Sequence, residues 1–316
     1  MKPVNNLIIY SIVVTFNAEK WIEDCIASLI NSEIRTKIIL IDNYSTDKTL
    51  ELIKPNKNVN IIPLEKNIGF GKANNIGLSI ALRNNADFVF LLNQDAEVKN
   101  NTLSKLLSVA QTVDGYGIFT PLHLNEEEEQ FDHKFFRYLS RENLDIVSDL
   151  YFHRKKLIYD LPFANAAAWL ITRTCLEIIG GFDPLFFMYG EDDDYCYRVL
   201  KHGLRIGLIP SGIIIHKRQP SSNEKIKKSI TKKLQYVEAS YIHLLKKYER
   251  SFIFSILNVM IDNFSYSMKL LINKSFKEFL LMTVIFIKII FKLPKIKTHR
   301  NYCKKFGPAW LETGKG

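Results

Sequence analysis

The sequence predicts an α/β fold: a sheet of parallel strands with helices on both faces, followed by a basic, mostly helical C-terminal region. Two observations predict it. Over the first hundred residues, short runs rich in β-branched residues alternate with segments whose apolar residues recur at helical spacing. The charge then changes sign along the chain. Residues 1–216 hold 22 Lys and Arg against 27 Asp and Glu, whereas residues 217–316 hold 21 against 6. The expected division is an α/β domain over 1–222 and a helical region over 223–316.

The elements follow in order. Leu7–Thr15 (LIIYSIVVT) is too short and too β-branched for a buried helix, so it reads as a buried strand. Ala18–Ile30 places Trp21, Ile22, Ile26, Leu29 and Ile30 on one helical face. Lys37–Ile41 is a second strand, and Ser45-Thr46-Asp47 suits a helix N-cap before Thr49–Ile53. Val59–Leu64 is a third strand, Gly71–Leu82 a helix and Asp87–Leu92 a fourth strand. Glu126–Glu129 reads as a solvated acidic loop, and order resumes near Phe163. Glu191–His202 is a helix that Gly203 ends. Ile206–Ile209 and Gly212–His216 are two short strands, and from about Asn223 the period is helical.

Composition excludes several classes. A chain of 316 residues that is 47% hydrophobic and 24% charged is neither disordered, collagenous nor a disulfide-stapled miniprotein. Cys25, Cys175, Cys196 and Cys303 are scattered without a C-x-x-C pair, which argues against a zinc ribbon and fits a reducing cytoplasm. No signal peptide is expected, because the apolar run Leu7–Val14 leads into Thr-Phe-Asn rather than a cleavage site. The basic tail suits an anionic partner, and its plain alternative is a solvated lysine surface. Nucleic acid is disfavoured, since the acidic body and polar strand ends would go unexplained. Phe279–Phe291 is an apolar run broken by Lys288 and flanked by Lys274, Lys277, Lys292, Lys295 and Lys297. It falls short of the roughly 18 apolar residues that span a bilayer. It suits peripheral attachment to an anionic membrane surface, or equally a subunit interface in a homodimer.

Ligands of parallel sheets gather beyond the carboxyl ends of the strands. Here each strand ends in polar residues: Thr15-Phe16-Asn17, Asp42-Asn43, Glu65-Lys66-Asn67-Ile68-Gly69 and Asn93-Gln94-Asp95. A strand-end carboxylate such as Asp95 can ligate Mg²⁺ or Mn²⁺, and His216 closes an apolar strand where it could serve as a further ligand or be purely structural. Glu191-Asp192-Asp193-Asp194 follows the aromatic run Phe186-Phe187-Met188-Tyr189. The helix dipole accounts for Asp193 and Asp194. A carboxylate pressed against aromatics loses hydration and becomes a better base near neutrality.

Together the segments SIVVTFN, IILIDNYSTD, NIGFGKANNIGL, FVFLLNQDA, GGFDPLFFMYGEDDDYCYR and IIIH resemble the inverting glycosyltransferases of family 2, in the rhamnosyltransferase-like branch, over about residues 8–218. The resemblance implies the GT-A fold, a Rossmann-like mixed sheet flanked by helices. It implies that Thr15, Phe16 and Asn17 line the base pocket, and that Asp42 bonds the base or ribose. Asn67, Gly69, Asn74 and Asn75 would shape the pocket under the nucleotide and donor sugar. Asn93-Gln94-Asp95 falls on the family's D-x-D motif, with Asp95 the metal ligand, Asn93 in place of the first Asp, and Gln94 between them on the nucleotide-sugar. Asp192 matches the catalytic base, with Glu191 beside it, and His216 completes the metal shell. Phe163–Trp169, Trp169 included, would shape donor and acceptor binding. The implied reaction moves a sugar from a nucleotide-diphosphate donor, dTDP-rhamnose or a UDP-hexose, to a saccharide or lipid-linked saccharide. Mg²⁺ or Mn²⁺ would assist, in bacterial cell-surface polysaccharide synthesis at the cytoplasmic side of the plasma membrane. The alternatives are a sugar nucleotidyltransferase, disfavoured by the absence of glycine after the first strand, and a non-enzymatic membrane-docked scaffold.

Overall fold

A computed structural model of the chain describes residues 3–54, 56–217 and 230–313. After a 3₁₀ turn at Val4–Asn6, the first part runs β1 (Ile9–Thr15), α1 (Ile22–Ile30), β2 (Lys37–Asp42), α2 (Thr49–Ile53), β3 (Val59–Pro63), α3 (Phe70–Arg83) and β4 (Phe88–Asn93). The middle adds β5 (Ala96–Val98), α4 (Thr102–Ala110), β6 (Tyr116–Leu124), α5 (His133–Glu142), α6 (Leu144–Tyr151), β7 (Tyr159–Asp160) and β8 (Ala168–Thr172). Then come α7 (Arg173–Ile179), α8 (Glu191–Lys201), β9 (Arg205–His216), α9 (Ile230–Lys246), α10 (Phe252–Ile272) and α11 (Phe276–Tyr302).

Among the described residues the strands form one sheet in the order β3-β2-β1-β4-β8-β6-β9-β5, with β7 also on β9. Strands β1 to β4 are mutually parallel, as the alternation predicts. The sheet as a whole is mixed, because β8 runs antiparallel between β4 and β6. Every residue of β1 is buried, which is why its sequence is mostly apolar, with Ser11 bonded to Thr36 inside it. Successive side chains point to opposite faces. Ile12 and Val14 pack with Leu78 of α3, Leu176 of α7 and Val199 of α8. Ile9 and Val13 pack with Ile26 of α1 and Leu106 of α4 on the other face.

Two readings need correction. The expected strands Ile206–Ile209 and Gly212–His216 are one strand, β9, whose register against β6 slips between the pairs Pro121–Ile209 and Leu122–Ile213. Pro210 cannot donate to the ladder, so the strand bulges there and resumes. The apolar run Phe279–Phe291 is only the middle of the 27-residue helix α11. The boundary expected at 222/223 lies outside the described residues.

Helices α9 to α11 share a hydrophobic cluster with Leu185 and Phe186, so they pack on the segment leading into α8. At this junction sits a buried charge network. Lys246 Nζ of α9 pairs with both Asp183 and Asp194. Asp194 also takes Arg198 Nε at 2.9 Å, and Arg198 donates to the carbonyls of Ile179 and Gly181. His299 Nδ1 of α11 lies 2.7 Å from the second oxygen of Asp183. Burial alone would raise the Asp183 carboxyl, but Lys246 and His299 overcome it and hold the group far below the ordinary carboxylate range.

Lys246→Met removes the shared cation and leaves two buried carboxylates uncompensated. Denaturant unfolding should show a loss of about 3–5 kcal/mol, and a loss below about 1 kcal/mol would mean the network contributes little. Because the Asp183 carboxyl is depressed, its contribution is complete above about pH 4 and fades as acid protonates it in the folded state. The wild-type chain should therefore lose stability on acidification more steeply than the Lys246→Met variant.

Candidate active site

The sheet turns its carboxyl-terminal strand ends to one side, and side-chain amides lace them together. Gln94 Oε1 accepts the Phe16 N–H at 2.7 Å while its Nε2 donates back to the Phe16 carbonyl, tying the end of β4 to that of β1. Asn17, with φ of 51°, uses Oδ1 to accept the Thr46 N–H at 2.8 Å. Asp42 Oδ2 accepts the Ser45 N–H, and its buried Oδ1 has no partner among the described residues. Thr15 Oγ1 is likewise buried and unpartnered. Orphaned oxygens are costly unless a ligand or water completes them. Asn43 Nδ2 donates to Asn67 Oδ1, which also accepts the Gly69 N–H, so the β3–α3 loop is pinned to the end of β2.

That loop reaches the acidic turn. Gly69 has φ 89° and ψ 161°, and a Cβ there would lie 2.2 Å from the Phe187 carbonyl oxygen. The next residue, Phe70, donates its N–H to the same oxygen. Tyr189 and Gly190 both have positive φ, aiming the start of α8 back toward the sheet, and Tyr189 stacks on Tyr236 of α9 at 3.9 Å. The Ala166 backbone lies near enough to the Asp192 carboxyl to favour its anion, and Asp192 Oδ1 accepts the Asp193 N–H at 3.0 Å. The carbonyl of Ala167 accepts the Asn93 N–H at 2.9 Å. Asp192 and the Asn93-Gln94-Asp95 turn thus both border one short segment, Ala166 and Ala167.

Burial pushes the Asp192 carboxyl up, and the Asp193 charge pushes it further. Glu191 is raised in the same sense, by burial first and then by Asp192, and its buried Oε2 lacks a partner among the described residues. Beside them opens a cavity of about 260 Å³, lined by Phe135, Tyr138, Phe163, Asn165 and Asp193 among others.

The residues expected to hold a metal come together. Asp95 Oδ1 lies 3.2 Å from His216 Nε2, and Ala96 pairs with His216 across β5 and β9. Two adjacent ligands of an octahedral ion bound at about 2.1 Å lie about 3 Å apart, so this spacing fits a divalent cation. His216 Nδ1 faces Asp132 at 4.0 Å, the kind of carboxylate neighbour that orients a ligating imidazole. A second acidic group, Asp183 and Asp194 with Cys303, is close enough to share an ion. Lys246 already occupies it, and a cation there would meet that ammonium.

Not every expected residue faces the site. Trp169 is fully buried between Phe182 and Tyr195, so it packs the core instead of lining an open pocket. Asn75 is consumed in clasping both the N–H and the carbonyl of Phe182, and Asn74 bonds back to the Phe70 carbonyl within α3. Asp193 and Asp194 part ways, one on the cavity rim and the other in the buried network. The sequence reading missed Asp132 and the aromatic wall from α5, whereas Asn165 falls within the expected loop Phe163–Trp169. Asp132 was discoverable, since it caps α5 by accepting the Phe135 N–H just before an amphipathic run.

Solved structures share this architecture. Staphylococcus aureus TarS 1-349 in complex with UDP-GlcNAc is 15% identical, with a TM-score of 0.55 over 89% of this chain and 81% of that one. GalNAc-T7 with UDP, GalNAc and Mn²⁺ is 18% identical, with a TM-score of 0.53 over 75% of this chain and 48% of that one. At such identities the likeness shows the fold, a GT-A glycosyltransferase fold. The family model for glycosyl transferase family 2 matches residues 11–170, just over half of the chain. The chain belongs to glycosyl transferase family 2 and is a glycosyltransferase of its rhamnosyltransferase-like branch. Relatives include dTDP-rhamnosyl transferase RfbF of Shigella flexneri, 22% identical over 66% of this chain and 68% of its own length. Rhamnosyltransferase WbbL of Escherichia coli K12 is 24% identical over 66% of this chain and 83% of its own.

Gly69→Ala tests the junction between the β3–α3 loop and the acidic turn. The backbone conformation is essentially closed to other residues and the new methyl would strike a carbonyl, so the variant should lose at least about 1–3 kcal/mol of stability. An unchanged melting temperature would show that the loop can settle without touching Phe187.

Proposed function

We propose that this enzyme transfers a sugar of rhamnose or hexose type from a nucleotide diphosphate to a saccharide hydroxyl, with inversion, and that Asp192 is the base. One observation carries the reading: Asp192 lies against Ala166, and the neighbouring Ala167 carbonyl bonds to the Asn93 N–H that opens the Asn93-Gln94-Asp95 turn. A donor seated on the strand ends and an acceptor beside Asp192 would therefore meet.

In this reading the unpartnered oxygens of Thr15 and Asp42 take the donors of the nucleoside, with Phe16 and Asn17 beside them. Asn67 and Gly69 bound the donor sugar, and Gln94 fixes the loops in register. Asp95 and His216 hold Mg²⁺ or Mn²⁺, which when bound would offset charge on the departing diphosphate. Asp192 takes the proton from the acceptor hydroxyl as its oxygen bonds to the anomeric carbon. The bond from that carbon to the diphosphate oxygen breaks on the opposite face, and the nucleotide diphosphate leaves with the electron pair. A single displacement inverts the configuration. Glu191, raised and half-satisfied, supports the acceptor side, and the aromatic faces of Phe135, Tyr138 and Phe163 suit the apolar face of a sugar ring. Relatives named as rhamnosyltransferases support a role in bacterial polysaccharide assembly, with a cytoplasmic enzyme acting on a saccharide or lipid-linked saccharide.

Asp192→Asn should slow transfer by about two to four decades while nucleotide affinity stays close to wild type. Near-normal turnover would move the base elsewhere. Asp192 acts deprotonated and its carboxyl is raised, so kcat/KM should fall with acidification at a pH well above the ordinary carboxylate value of about 4. The Asn variant should lack that limb. Asp95→Ala should weaken UDP or dTDP binding in the presence of Mn²⁺ and leave binding in EDTA unchanged. Equal Mn²⁺ enhancement in both proteins would exclude Asp95 as a ligand.

A further inference from the structure

Helix α10 is apolar on both faces. Towards the protein it turns Ser255, Asn263 and Ser267 together with Phe252, Ile256, Val259, Tyr266 and Leu270. To the outside it presents Ile253, Leu257, Ile261, Phe264, Met268 and Ile272, with Ile253 and Ile272 more than 70% exposed. These positions advance by four, four, three, four and four residues, so they form one stripe along the helix. A helix packed in water normally points its apolar stripe inward. Large apolar residues turned outward as well as inward, with small and polar ones among those against neighbouring helices, suit a helix that touches hydrocarbon.

Helix α11 packs against α10 and repeats the stripe. Phe276, Leu280, Val284, Ile287 and Phe291 are exposed at the same spacing, Phe291 at 81%. Exposed apolar stripes of this length on two packed helices mark an interaction site. Lysines line it: Lys269, Lys274, Lys277, Lys288, Lys295 and Lys297 are all exposed. Among the described residues no helix is long and apolar enough to cross a membrane.

We infer that α10 and α11 dock the enzyme onto an anionic lipid bilayer, lying in its interface with the apolar stripes among the acyl chains and the lysines on the headgroup phosphates. Charge selects this occupant over a second copy of the chain. Residues 217–316 carry 21 Lys and Arg against 6 Asp and Glu, so pairing two copies would concentrate like charge, whereas phosphate headgroups neutralise it. The inference goes beyond the transfer reaction and does not depend on it.

The test is sedimentation of the full chain with vesicles in the absence of any nucleotide sugar. The chain should pellet with vesicles of phosphatidylglycerol and phosphatidylcholine, and far less with phosphatidylcholine alone. Replacing Lys274, Lys277 and Lys288 together by Gln should lower the partition coefficient about a hundredfold. Phe264→Ser with Phe291→Ser, both exposed and so harmless to the fold, should abolish binding to both vesicle types. Recovery in the supernatant with anionic vesicles would overturn the inference, as would equal pelleting by the two vesicle types or by the serine variant. So would a dimer in analytical ultracentrifugation that the serine variant dissolves.

Discussion

The arrangement of this molecule depends on one buried ammonium. Lys246 comes from the C-terminal helices, and the two carboxylates it joins come from either side of the acidic turn, Asp183 before it and Asp194 inside α8. Charges so deeply buried are tolerated only when each is met by an opposite charge and by hydrogen bonds. Arg198, His299 and the carbonyls of Ile179 and Gly181 supply them. Trp310 then closes the network, stacking on His299 with Arg198 over its ring. The position of α8, and so of the carboxylate two residues upstream of Asp194, is set by a contact that spans the chain.

A second constraint acts at the strand ends. Asparagine and glutamine amides substitute for backbone there: Gln94 pairs with Phe16, Asn43 with Ile68, and Asn75 with Phe182, each offering donors and acceptors to groups that no strand could reach. Loops that must stay open to a ligand are in this way held without hydrophobic packing. The oxygens that remain unpaired, on Thr15 and Asp42, lie in the region these amides hold open.

The first hundred residues were legible because pattern and environment agree. Strands buried on both faces write continuous apolar runs, and α1 and α3 write helical ones. Farther on the signals fail for physical reasons. β6 carries Pro121 and His123 within its span, and β8 is five residues long. α10 is apolar on its outer face as well as its inner one, so no single stripe marks its buried side. At the site, residues near strand ends could be named from sequence, because the strands themselves were clear. Family resemblance singled out Asp192 from Asp193 and Asp194, but the parting of those two was not legible. It rests on the cavity and on Lys246, which lies 52 residues from Asp194. Trp169 was set in the donor and acceptor loop by family resemblance alone, whereas it lies within β8 with its ring fully buried.

The last described stretch of the chain has a consequence for how the protein is made. Gly181 donates to the Ala309 carbonyl, Leu311 packs beside Asn75, and Glu312 bonds to Ser79, a residue 233 positions earlier. The early β-α-β units hold mostly local contacts and can organise while synthesis continues. The back of α3 and the glycines after α7 are sealed only once residues 308–312 have left the ribosome. A chain stalled or clipped short of that point would keep its polar strand ends yet expose a raw apolar flank, a ready target for chaperones and proteases.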